Sequence, residues 1–349
     1  MNLTKFRMYK RKPTAVLFFK SFSLFFDCWI SVDCNDFTFT ALKDSLCISP
    51  VSKCCIDVCF IVFWPKDNET YIDATFGYGG YTERILQSCE CKVIAIDRDP
   101  TVKKQAERFK KKYGSRFSFV HSKFSQIHKI SKETKEKEIN GFVFDIGVSS
   151  MQLDDANRGF SFMQDGPLDM RMSQDGQTAS DLINKKDKDE LADIIYHYGD
   201  ERNSRKIARN IEKNRTQKKI ESTIELAEII KKSFPSKYYK KHPATKTFQA
   251  IRIFINNEIQ ELHAGLNQAF NLLRANGKIC VVTFHSIEDR LVKNFTNKVC
   301  LRNKKTKLIK PSSKEILSNP RSRSAKLRVI KRERLNFNYI PISELGFEL

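Results

Sequence analysis

A chain of 349 residues is too long for one minimal core and suits a large α/β domain with a smaller inserted or appended one. Its 62 Lys plus Arg against 41 Asp plus Glu leave a formal charge of +21, which points away from cationic partners and towards polyanions, nucleic acid first. Six of the ten cysteines crowd irregularly into the first sixty residues and no CxxC answers another, so no metal is expected; apolar stretches 15–30 and 56–64 are interrupted or too short to span a bilayer, so neither is a membrane.

Residues 1–65 carry aromatics and cysteines without sustained period and are expected to be an atypical extension: disordered, transit-like or misread. Lys5, Arg7, Lys10, Arg11 and Lys12 suit a transit segment, whereas acids at 27, 33, 36, 44 and 57 do not. A genuine transit segment would mean a mitochondrial protein, and otherwise a bacterial cytoplasmic one. Beyond Pro65 the punctuation becomes regular, with strands predicted at 71–75, 93–97, 117–120, 142–145 and 278–284, and helical stretches between the first three. Such alternation predicts an α/β fold with a parallel sheet, whose ligands sit at the carboxyl ends of the strands. The span 153–248 reads as an inserted helical domain, leaving 66–152 and 249–349 as the α/β unit. From 297 to 334 fourteen Lys or Arg stand against two Glu, a candidate phosphate-contacting arm in which Arg321, Arg323 and Arg328 have suitable geometry.

The first chemical constellation, DATFGYGG at 73–80, directly follows a strand; its glycines let backbone approach a ligand, and the next helix offers its amides. A dinucleotide fingerprint would place a third glycine at 82, which is Thr, and no phosphate-gripping GxxxxGK[ST] occurs, so neither a nicotinamide cofactor nor ATP is favoured. Asp97, eighteen residues after Gly79, is placed to accept from both hydroxyls of a ribose; its alternative is a cap before Pro100. Together these features indicate a nucleoside ligand, with S-adenosylmethionine leading. Phe124 is a candidate for an adenine face, or else core. Asp145, followed by Gly147, falls where the transferable methyl should lie, or else caps a helix. The run 141–172, mixing aromatics with paired acids and arginines, reads as a site rather than a solvated loop.

Residues 71–331 resemble the RsmH (MraW) family of 16S ribosomal RNA cytosine N4-methyltransferases. The resemblance rests on DATFGYGG, AIDRDP at 95–100, DIGVSSMQLDDANRGFSFMQDGPLDMRM at 145–172, YGDERNSRKIARNI at 198–211, HPATKTFQAIRIFINNEI at 242–259, TFHSIEDRLVKNF at 283–295 and NPRSRSAKLR at 319–328. It implies a Rossmann-like class I methyltransferase fold with a helical insertion that helps bind substrate. It also implies S-adenosylmethionine contacts from Gly79, Gly80, Tyr81, Asp97, Phe124, Asp145 and Gln152, and small-subunit ribosomal RNA, free or in an assembled subunit, as partner. The sequence departs from the family at Tyr81, usually His, and at CCIDVCFIVFWP, which stands in place of an HxPVLLxE segment.

An exocyclic cytosine amine is a poor nucleophile, so a carboxylate or carbonyl must orient it and accept its charge. The amino-methyltransferase tetrad D/N/S-P-P-Y is missing, which leaves Asp145, Asp165, Asp169 and His285 as catalytic candidates. Arg158, Arg171, Lys246, Arg252 and Arg290 are candidates for RNA phosphates, and Phe160 or Phe162 for stacking a splayed base. A non-catalytic RNA-binding assembly factor on the same fold is the alternative, and a homodimer is a further expectation.

Overall fold

The computed structural model describes residues 64–134, 138–235, 242–300, 308–333 and 337–347, so the expected extension lies outside the described residues except for its last two. The first strand, β1 (Thr70–Asp73), is buried at every position, as a strand covered on both faces must be. It is followed by α1 (Gly80–Ser88), β2 (Lys92–Asp97), α2 (Lys103–Tyr113), β3 (Phe117–His121), α3 (Ile127–Glu133) and β4 (Ile139–Asp145). The strands run parallel in register pairs such as Ile72 with Ile94 and Asp73 with Val143. Helix formers then dominate: α4 (Ser150–Asp154), α5 (Ala179–Lys185), α6 (Lys188–Gly199), α7 (Ser204–Arg215), α8 (Thr223–Lys231), α9 (Thr245–Ile255) and α10 (Glu258–Leu272). The chain returns to the sheet with β5 (Leu273–Thr283), α11 (Ser286–Val299) and β6 (Lys326–Lys331).

The six strands lie in the order β3-β2-β1-β4-β5-β6, and β6 pairs antiparallel with β5. The sequence reading predicted five strands and missed β6, which lies inside the stretch read as a basic arm. Its lysines and arginines mask a strand whose Leu327 and Ile330 are buried. Successive strands move to one side of β1 and then β4 returns to the other, so the connections diverge between β1 and β4. In an open sheet that divergence opens a crevice at the carboxyl ends of the strands.

The sheet core joins Ile72, Ile96, Phe142, Phe144 and Val281 to helix residues such as Ile127, Leu266 and Leu291. A second core, including Leu182, Leu191, Ile195, Ile207, Ile211 and Leu226, fills the helical segment. Helix α9 serves both, giving Phe248 and Ile251 to the second core and Ile253 to the first, so the boundary drawn at 248 cuts through a helix. Among the described residues no helix is long and apolar enough to cross a membrane, and no cluster of His, Cys, Asp or Glu is suited to hold a metal.

Candidate active site

At the end of β1, Asp73 is fully buried and its carboxylate accepts from the Thr82 hydroxyl at 2.7 Å and the Thr75 amide at 3.2 Å. Thr82, standing where a dinucleotide fold would have glycine, therefore ties α1 to β1. Gly79 caps α1 in the left-handed region at φ 80°, and a Cβ there would lie 2.5 Å from the Phe109 ring, so neither backbone nor packing admits a side chain. Gly77, at φ 49°, faces open space instead. Its amide donates to Asp97 at 2.8 Å, and the Asp97 carboxylate also accepts from the Asp99 amide at 2.9 Å. Burial raises the pKa of Asp97.

At the end of β4, the Asp145 amide is fixed by the Thr75 hydroxyl at 2.8 Å. Burial, and then the charge of Asp73, push the Asp145 carboxyl up to about 7, while the Tyr81 side chain favours its ionised form. Asp73 is itself raised to about 6, again chiefly by burial, with its bond to Thr82 opposing. The Asp145 Oδ1 is withdrawn from solvent and accepts no hydrogen bond among the described residues. Two raised carboxyls at the ends of adjacent strands, beside an open glycine, form a site that a cation would stabilise.

The structure thus brings Gly79, Gly80, Tyr81, Asp97 and Asp145 to the ends of β1, β2 and β4, with Tyr81 buried in the first turn of α1. Phe124, just past β3, meets Phe144 edge-on at 5.6 Å and fits against Gly265, where a Cβ would approach it to 2.7 Å. Gln152 uses both ends of its amide within the fold: Oε1 accepts from the Ser149 amide at 3.0 Å and Nε2 donates to Asp99 at 2.7 Å.

The structure holds the other catalytic candidates in contacts within the fold. Asp165 is exposed and caps α8 by accepting from the Ile224 amide at 3.2 Å; hydrogen bonding from Ser222 and that amide lowers its pKa. Asp169 forms a fork with Arg171, at 2.9 and 2.7 Å, and although burial raises its pKa the arginine brings it down. His285 caps α11 directly after β5, with Nε2 2.9 Å from the Arg252 guanidinium and Nδ1 3.2 Å from Glu288. A guanidinium only donates, so Nε2 is the acceptor and the ring proton sits on Nδ1. Burial and the Arg252 charge push the pKa of His285 well down, which leaves a neutral ring whose Nε2 is held by Arg252.

Three predicted phosphate ligands are each buried in an ion pair. Arg158 meets Asp99 at 2.9 Å, Arg252 grips Glu258 at 2.7 and 2.9 Å, and Arg328 meets Asp289 at 2.7 Å. Arg171 is committed to Asp169. Lys246, Arg290, Arg321 and Arg323 are exposed, although Lys246 donates to the Asp200 carbonyl, Arg290 covers the Phe347 ring and Arg321 pairs with Asp154. Phe160 is buried, with the Arg158 guanidinium 5.6 Å from its ring centre, and the half-buried Phe162 packs on His242 and Phe248 at 4.7 and 4.8 Å.

Sequence reasoning missed Asp73, Asp99, Asn256, Glu258 and Glu288. Asp73 opens the glycine string, but the sequence alone gives it no role of its own. Glu288 stands three residues after the cap of α11, a capping-box spacing that was legible, and burial raises its pKa to about 8.

Residues 52–333 match the MraW methylase family model. The chain belongs to that family. It is 48% identical over 289 residues to ribosomal RNA small subunit methyltransferase H of Rickettsia felis, covering 77% of this chain and 94% of that one. The Rickettsia conorii protein of the same name is 48% identical over 288 residues, covering 76% and 93%. Among solved structures, a putative rRNA methylase from Clostridium thermocellum aligns with TM-score 0.42 and 11% identity over 82% of this chain and all of that one. A putative methyltransferase from Streptococcus mutans in complex with SAH aligns with TM-score 0.39 and 12% identity over 79% and 96%. For this methylase family the donor set fits S-adenosylmethionine: the open Gly77 turn and Asp97 suit a nucleoside, and the buried Oδ1 of Asp145, beside Asp73, suits a cationic end.

Proposed function

We propose that this protein methylates the exocyclic N4 amine of a cytosine in small-subunit ribosomal RNA, with S-adenosylmethionine as donor. The observation that carries the reading is the unpartnered Oδ1 of Asp145 at the end of β4, beside Asp73 and the Gly77 turn. Bound S-adenosylmethionine supplies a methyl group activated by its sulfonium charge. Asp97 would hold the ribose hydroxyls, and the backbone of Gly79, Gly80 and Tyr81 in the first turn of α1 would face the amino-acid end.

Asp145 then has two duties. Its Oδ1 accepts a hydrogen bond from the N4 amine and orients the lone pair, and the same carboxylate takes the proton that nitrogen sheds on methylation. A carboxyl raised to about 7 is suited to that transfer near neutral pH. Asp73 and Tyr81 hold the charge and direction of Asp145, and a cation arriving beside the two acids favours their ionised forms. The exposed Arg290, Arg321 and Arg323, with the helical segment, support an RNA-binding role.

Calorimetric titration of S-adenosylmethionine, followed by a cytosine methylation assay on free small-subunit RNA and on assembled subunits, tests the reading and distinguishes the two substrates. Sedimentation of the same preparation tests for a homodimer. Binding with methyl transfer to N4 is expected; a folded protein that binds no S-adenosylmethionine would instead be a non-catalytic RNA-binding factor.

A further inference from the structure

Three consecutive side chains leave the end of β2 in different directions. Asp97 turns to the glycine loop, as described. Arg98 donates to the Ser173 hydroxyl at 2.7 Å and to the Asn256 carbonyl at 2.9 Å. Asp99, 3% exposed, accepts from Arg158 at 2.9 Å and from Gln152 at 2.7 Å on one carboxylate oxygen, and from the Thr101 amide at 3.0 Å on the other.

These side chains converge on one short segment, 170–173. Arg158 spans from Asp99 to the carbonyls of Arg171 and Met172, at 3.0 and 3.1 Å. Asn256 donates to the Met170 carbonyl and accepts from the Met172 amide, both at 2.8 Å. The segment is not relaxed: Met170 is fully buried and holds φ 59°, a left-handed conformation that a side chain of its size adopts only when its surroundings impose it. The same segment reaches into the helical core, where Leu168, Met170 and Met172 are buried.

Building on the proposed function, in which the helical segment binds RNA, we infer that Asp99 and Arg158 are positioning residues that couple the cofactor site to residues 170–173, which pack into the core of that segment. Asp97, the ribose ligand, is two residues from Asp99 and bonded to its amide. A nucleoside held by Asp97 therefore steadies Asp99, Asp99 steadies Arg158, and Arg158 fixes the backbone of Arg171 and Met172. Cofactor and RNA then bind with positive coupling, each strengthening the other by the same factor.

Amide hydrogen exchange with S-adenosylhomocysteine as probe tests this without turnover. Saturating probe is expected to slow exchange of the Met172 amide by about tenfold, because its opening requires the clamp to release. Arg158→Lys keeps the charge opposite Asp99 but has one nitrogen where two are needed, so the slowing should vanish while probe affinity stays within about threefold. In kinetics the same variant should lose the dependence of the RNA KM on cofactor concentration. Probe binding without protection in the wild-type protein, or equal protection in Arg158→Lys, overturns the coupling and leaves the proposed function standing. Failure of the folded wild-type protein to bind the probe overturns both.

Discussion

Replacing Asp145 by Asn should stabilise the ligand-free protein at alkaline pH and abolish its catalysis, an opposition that follows from how the acid is held. Its pKa rises from 3.8 in an open chain to about 7 in the fold, chiefly through burial and then through Asp73. A group whose folded pKa is raised contributes stability that is fully present below about 4 and is lost as pH climbs through about 7. That rise corresponds to about 4 kcal/mol, an upper bound because Asp145 is only half-buried as a residue. The amide is neutral at every pH and so escapes the repulsion from Asp73. Urea unfolding of both proteins without ligand should show Asp145→Asn more stable by about 1 to 3 kcal/mol at pH 8.5, with the gap closed or reversed at pH 4.5. Methyl transfer should fall by about a hundredfold or more, since an amide cannot take the amine proton. A pH-independent loss of stability would refute the assignment of a raised, repelled carboxyl, and retained activity would remove Asp145 as proton acceptor.

Three other outcomes are expected. Asp97→Ala should weaken S-adenosylmethionine binding by about 1 to 3 kcal/mol in calorimetry, the cost of leaving ribose hydroxyls without an acceptor; unchanged affinity removes Asp97 from the site. Arg252→Ala leaves the buried Glu258 and Glu288 without their cation and should cost about 3 to 5 kcal/mol in urea unfolding, whereas a phosphate-binding arginine would change RNA affinity with little effect on stability. Neutralising the exposed Arg321 and Arg323 together should reduce the slope of log RNA affinity against log salt by about 1.4, and an unaltered slope places both outside the RNA interface.

The parallel core was legible because each strand carries its own signal: apolar runs such as TYID and INGFVFD end in acids and precede glycines or caps. The antiparallel edge was not, since in β6 half the residues are basic and Arg328 is buried only because Asp289 waits on α11. Asp97 and Asp145 could be named from the sequence because an acid at the end of a strand in this topology must lie at the crevice. The internal pairing of the arginines was not legible for the opposite reason. A guanidinium shows its charge in the sequence but not its partner, and Asp99, Glu258 and Asp289 come from other elements.

The sequence by itself determined the α/β class, the glycine-rich turn and the family, because these depend on local period and spacing along the chain. Only the tertiary structure decided which charges are spent: it paired Arg158, Arg252 and Arg328 internally, set Nε2 of His285 against Arg252 and left one oxygen of Asp145 unpartnered among the described residues. Burial and long-range pairing are properties of the folded arrangement, and they set which groups hold the fold and which remain for chemistry.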